Sequence, residues 1–178
     1  MLLVQYVTLP AFSQIEPSDS STITVGLKVS NISGYGFYCT KKITQNVSIQ
    51  AMGLMYYYYN RDKNDIHKIY NYDIGLEIQR TIYRIPDFRI FILAGSYYYY
   101  DNDNNVENSN SFLKVNNSFN IGIGLSLEYT FKRLVISVDL GYKFFEDRIK
   151  VTENEQTPYP ELHRVTKIGS GFGIGFRL

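Results

Sequence analysis

No stretch of 18 consecutive apolar residues occurs in this chain. That excludes a transmembrane helix, which needs about 20 such residues to cross the hydrocarbon of a bilayer. Tryptophan is absent and cysteine occurs once, at Cys39. A lone cysteine closes no intramolecular disulfide and reads as a small residue on a strand face. Neither sign of charge dominates: 18 Lys and Arg against 17 Asp and Glu leave a net charge of +1. Nothing therefore points to nucleic acid or another polyanion as a partner. What is abundant is tyrosine, with 17 residues that help bring aromatics to 16% of the chain, heavy for a soluble domain. The 178 residues are room for one domain with a sizeable core. The mean hydropathy of −0.20 looks soluble, yet alternation hides a transmembrane strand from any such average.

Alternation is the main signal. Phe119, Ile121, Ile123, Leu125, Leu127, Tyr129 and Phe131 alternate with Asn120, Gly122, Gly124, Ser126, Glu128 and Thr130. After Lys132 and Arg133 the pattern resumes, with Leu134, Ile136, Val138, Leu140, Tyr142 and Phe144 set against Val135, Ser137, Asp139, Gly141, Lys143 and Phe145. A period of two residues is that of a β-strand. Alternation and punctuation together predict eight extended runs, near 22–31, 35–42, 46–59, 67–84, 88–100, 117–131, 134–146 and 164–178. Connections after the second, fourth and sixth runs are short. Those at 60–66, 101–116 and 147–163 read as longer polar loops, while the one near Ser33 and Gly34 is brief. Short turns on one side and long loops on the other fit a transmembrane barrel rather than a soluble one.

The faces can be oriented from cost. An outward Lys143 would meet lipid at about 2–4 kcal/mol, with acids such as Glu128 and Asp139 somewhat less costly. The apolar face must then point outward, and the face carrying Gly122, Gly124, Gly141, Gly169, Gly171, Gly173 and Gly175 must line a narrow lumen. In that phase Lys28, Asp73, Glu77, Glu128, Asp139, Lys143 and Arg177 form an interior polar cluster, which must be internally paired. A two-residue turn at Lys132 and Arg133 sets Ser126 opposite Asp139 and Glu128 opposite Ser137. The two acids become diagonal neighbours in need of a cation, with Arg177 the first candidate and Lys28 the second. The tyrosine runs at 56–59 and 97–100, with Tyr70, Tyr72, Tyr142 and Phe144, are placed where an apolar band meets headgroups. Tyr83, Phe88, Tyr129, Phe131 and Phe176 are placed at the opposite edge.

The first residues resemble a targeting segment. The apolar stretch 1–13 ends with Ala11 and Ser13 at the −3 and −1 positions of a cleavage site before Gln14, although no Lys or Arg precedes Lys28. Residues 1–14 are read as a truncated signal peptide whose start lies upstream, 15–21 as a linker, and 22–178 as the barrel.

On these patterns the chain resembles the eight-stranded outer-membrane barrels of Gram-negative bacteria, the OmpA, OmpX and opacity-protein group. The likeness covers 22–178 and rests on pattern, without a residue motif. It implies an all-β fold, an eight-stranded antiparallel up-and-down transmembrane β-barrel in the bacterial outer membrane. It also implies contact with outer-membrane lipid and lipopolysaccharide, and handling by the barrel-assembly machinery. Phe172, Ile174, Phe176 and Leu178 resemble the C-terminal strand signal read by that machinery, with Leu178 standing where the family usually ends in Phe.

No cofactor or catalytic residue is expected. Lipid A deacylases of this size carry a His-x-Ser pair, whereas His67 is followed by Lys68 and Ile69, and His163 by Arg164 and Val165. Asp65 and His67 share a strand face and could form an acid–base pair, but a solvated rim is the plainer reading. Residues 101–105 begin like a calcium loop, yet Val106 and Phe112 stand where the sixth-position Gly and twelfth-position Glu belong. The alternatives are a soluble lipocalin-like carrier, which lines its barrel with apolar side chains and usually carries a Gly-x-Trp, and, less favoured, a lipopolysaccharide-modifying barrel enzyme. The expected role is structural, or surface interaction through the loops, with a plugged interior and no wide pore.

Overall fold

The computed structural model describes residues 22–61, 65–107, 110–153 and 159–178. The signal peptide and linker expected at 1–21 lie outside them. Eight strands close into a ring by antiparallel pairing in chain order. They are β1 (Ile23–Ser30), β2 (Gly34–Lys42), β3 (Val47–Arg61), β4 (Asp65–Ile85), β5 (Phe88–Glu107), β6 (Asn110–Phe131), β7 (Leu134–Glu153) and β8 (Tyr159–Arg177). Closure is made where β1 meets β8, from Thr24 opposite Arg177 to Ser30 opposite Gly171. A closed ring leaves no unpaired edge within the shared belt, the condition for a sheet to stand in hydrocarbon.

The strands differ in length, and this corrects the expected loops. β1 and β2 have 8 and 9 residues, close to the roughly 9–11 that cross a bilayer at a tilt. β4 to β8 have 19 to 22, about twice what a crossing needs. Much of each segment expected to be a long polar loop is therefore strand. Asp101 pairs with Asn116 and Asn105 with Phe112, while Asp147 pairs with His163. The physical reason is solvent. Beyond the belt both faces meet water, so the apolar–polar alternation that marks a strand is lost while the ladder continues.

β3 to β8 thus rise as a tall wall on one side of the barrel, and the β1–β2 hairpin stays low. At the other end the turns are short. Lys132 takes a φ of 56°, the left-handed backbone that a two-residue hairpin turn requires. The β4–β5 pairing slips once, between Thr81 and Tyr83, a bulge at the short-turn rim where such irregularities concentrate.

The outer face carries an apolar band, uncharged across β6 and β7, with exposed Lys41 and Arg80 on its short-turn side at β2 and β4. On β6 and β7 it runs through Ile121, Ile123, Leu125, Leu127 and Val138, Leu140, Tyr142, all exposed. Rings gather at its borders. Tyr72 stacks on Tyr100 at 5.3 Å, with Tyr70 and Tyr98 beside them. At the short-turn border the Lys132 ammonium lies 5.6 Å above the ring of Phe131. Aromatic girdles flanked by snorkelling cations are what interfacial chemistry favours.

Candidate functional site

The distinctive chemistry of the fold lies in its lumen. Inward residues of successive strands meet there, and the first connection folds in among them. Ile32 and Ser33, in the β1–β2 turn, are fully buried. Ile32 packs with Phe91 and Leu93 as the apolar core of the barrel. Four inward glycines on four strands make the socket. A Cβ on Gly75 would strike the Ser33 carbonyl, one on Gly95 would lie 2.9 Å from Ser33 Cβ, one on Gly122 2.6 Å from the Ile32 carbonyl oxygen, and one on Gly169 2.6 Å from Ile32 Cγ1. Glycine is required there because the turn occupies the space of a side chain. Gly34 and Gly36, at φ of 106° and 132°, give the chain the backbone freedom to return from the lumen to the wall.

Below the plug sits a buried ion triad. Lys28 Nζ lies 3.0 Å from Glu77 Oε2 and 2.8 Å from Asp139 Oδ2, with all three side chains essentially inaccessible. Neutral groups complete the set. Ser126 Oγ donates to Asp139 Oδ1 at 2.7 Å, and Gln79 Nε2 donates to Glu77 Oε1 at 2.7 Å. A second network continues toward the short turns. Arg89 Nη2 reaches Glu128 Oε2 at 2.6 Å and Gln79 Oε1 at 2.9 Å. Arg177 Nη2 reaches Thr130 Oγ1 at 3.1 Å and Glu128 Oε1 at 3.5 Å.

The lumen thus brings together five of the seven interior residues singled out from the sequence, though with different partners. Asp139 is held by Lys28, and the short contact to Glu128 comes from Arg89, with Arg177 the weaker second. Arg89 escaped the sequence reading because β5 is apolar on both faces from Phe88 to Ala94, which hides its phase. Its parity with Gly95 was the available signal. The other two, Asp73 and Lys143, lie above the plug. Asp73 Oδ1 accepts a hydrogen bond from the Tyr35 amide at 3.2 Å, while the Lys143 ammonium sits over the rings of Phe145 at 4.6 Å and Tyr97 at 5.3 Å. Phe172, Ile174, Phe176 and Leu178 all face outward and are exposed.

In the tall wall His67 Nε2 lies 3.0 Å from Asp103 Oδ1, both half-exposed. The partner of His67 is thus the segment whose composition suggested calcium, now a strand of the hairpin. Among the described residues no group of three or more His, Cys, Asp or Glu could hold a metal ion. On the outer surface of β7 and β8, Glu146 accepts from Arg148 Nη2 at 2.6 Å and from Arg164 Nε at 2.9 Å. These bonds from Arg148 and Arg164 hold the Glu146 carboxyl below its ordinary range. A depressed pKa in the folded state means that the stabilisation is present above the unfolded pKa and is lost as pH falls through the folded one. Glu146 is accordingly expected to titrate below the ordinary glutamate value in a side-chain NMR titration. Because the group is exposed, added salt should bring its midpoint back up; a midpoint insensitive to both Arg148→Gln and salt would contradict this.

No family model matches the chain, and no curated protein does. Solved structures resemble it in fold. A major outer membrane protein from Thermus thermophilus superposes with a TM-score of 0.51 at 9% identity, covering 88% of this chain and 99% of that one. The outer membrane protease OmpT from Escherichia coli gives 0.51 at 8% identity, covering 92% and 98%. The outer membrane protein AlkL, solved in lipid bilayers, gives 0.51 at 10% identity, covering 98% and 97%. The fold is therefore that of bacterial outer-membrane β-barrels.

Proposed function

We propose that this chain is an integral barrel of the bacterial outer membrane with a closed lumen, oriented with its short turns toward the periplasm. Its role is structural, or surface interaction through the tall wall of β3 to β8. The observation that supports this best is the apolar outer band bordered by rings at both edges. It would expose Ile, Leu and Phe to water in a soluble protein, far beyond the patch a soluble monomer tolerates. Lipid and lipopolysaccharide are the surroundings such a band fits, and Arg148 and Arg164 offer guanidinium groups at headgroup height to lipopolysaccharide phosphates. The exposed Phe172, Ile174, Phe176 and Leu178 are proposed as the stretch read by the assembly machinery. No catalytic role is proposed for the His67–Asp103 pair, whose half-exposed side chains read as a solvated rim contact.

The soluble-carrier reading is opposed by the lumen, which holds ion pairs and a plug where a carrier would keep an apolar cavity. Leu125→Arg discriminates between the two. At the centre of a lipid-facing band the arginine should cost about 2–4 kcal/mol of stability in bilayers, whereas Val115→Arg, outward but above the band, should cost about 0–1 kcal/mol. Urea unfolding in lipid vesicles, followed by heat-modifiable migration on a gel, reads both. Equal and small effects at the two positions would favour the carrier.

A further inference from the structure

Between the ion networks and the short turns lies a cavity of about 330 Å3, whose lining includes Pro86 of the β4–β5 turn and so opens at that end. Among the described residues its lining carries Lys28, Arg89 and Arg177 with one side-chain carboxylate, Glu128; Lys42, Arg84 and Leu178 also line it, the first two with interactions of their own. The charge of Lys28 is answered behind the wall by Glu77 and Asp139. Glu128 must serve both Arg89, at 2.6 Å, and Arg177, at 3.5 Å. Two guanidinium groups thus share one carboxylate.

The buried polar atoms lacking a hydrogen-bond partner tell the same story. In this cavity's wall they are Gln50 Nε2, Arg89 Nε and Arg177 Nε, all N–H donors. In the plug and beyond it they are the Ser33 hydroxyl, Asp73 Oδ2, Asn116 Oδ1 and Asn120 Oδ1. Asp139 Oδ2, outside the cavity, is met by the Lys28 ammonium. The Gln50 and Arg89 side chains are almost wholly buried, where unmet donors are costly. The unmet N–H donors are thus gathered in the wall of this cavity.

We propose that this cavity is a binding site for a small oxyanion, a carboxylate or phosphate group entering from the short-turn end. Its volume is at the lower end of ligand sites, about 300–1,000 Å3, and suits a small organic acid or phosphomonoester. Arg89 stays on Glu128 and keeps the network closed. Arg177, whose side chain is 36% exposed, turns from its long contact to the ligand, and the Gln50 amide supplies a neutral donor. Bidentate guanidinium–oxyanion pairing is the strong form of this interaction. That the ligand is periplasmic rests on the orientation proposed above; the binding itself does not.

The test uses the whole folded barrel in a maltoside detergent, which carries no phosphate. Inorganic phosphate and succinate are titrated separately while the Arg Nε–H and Gln side-chain amide resonances are followed by NMR. Saturable shifts are expected at Arg89, Arg177 and Gln50, with the backbone amide of Lys143, recorded in the same spectra, unmoved beyond the plug. The tighter of the two probes identifies the anion class. Arg177→Gln should weaken binding at least about tenfold, and Gln50→Leu, which leaves every ion pair in place, should weaken it less. Shifts that never saturate, or that are equal in wild type and Arg177→Gln, would overturn the site, as would no shift at all. Neither result would bear on the outer-membrane reading, which the vesicle experiment tests independently.

Discussion

Replacing Lys28 by Met is expected to cost about 3–5 kcal/mol, the loss typical of removing one partner from a buried ion network. The cause is what remains. Glu77 and Asp139 are both fully inaccessible, and without the ammonium two carboxylates share one low-dielectric chamber. Ser126 and Gln79 donate one hydrogen bond to each acid, which satisfies geometry but not charge. The variant should lose much of its resistance to urea and run as the unfolded species in unheated gels. Adding Glu77→Gln and Asp139→Asn should restore most of the loss, because a neutral hydrogen-bonded set of similar volume is often no worse than an ion triad. A Lys28→Met barrel as stable as the wild type would show that the triad is solvated, contrary to the burial of all three side chains.

How much of this could be read beforehand follows from where the solvent imposes a pattern. Within the belt the register of the β6–β7 hairpin was legible: Ser126 pairs with Asp139 and Glu128 with Ser137 across a turn at Lys132 and Arg133. There one face is apolar and the other polar at every step, and a register slip would turn a charge toward lipid. Above the belt no such pressure acts, so Asp101 to Glu107 looked like a loop while being strand. Arg89 was hidden for the opposite reason, since β5 is apolar on both faces around it. The plug left only an indirect trace. Ile32 is one apolar residue in a short turn, and its place in the lumen is set by a socket of glycines from four distant strands. The inward phase of Gly122 and Gly169 was visible in the sequence, but what they make room for was not.

That socket yields the second large effect. Ile32→Ala removes buried methyl groups from the apolar cluster that the turn forms with Phe91 and Leu93, and a loss of about 2–5 kcal/mol is expected. Gly169→Ala acts on the same space from the other side. The nearest atoms to its new Cβ all belong to the Ile32 side chain, the first at 2.6 Å from Cγ1 and the next at 3.5 Å from Cδ1. Overpacking of that kind costs about 1–3 kcal/mol. The two defects are complementary, since the methyl added at position 169 enters the volume that Ile32→Ala vacates. The double variant should therefore be less destabilised than the sum of the singles, by about 0.5–3 kcal/mol of coupling. Urea unfolding of the four proteins in one lipid provides the cycle. Gly122→Ala with Ile32→Ala should show less relief, because there the backbone carbonyl of Ile32, 2.6 Å from the new Cβ, remains in place. Strict additivity at position 169 would mean that the turn does not sit in the glycine socket, and the closed lumen would lose its plug.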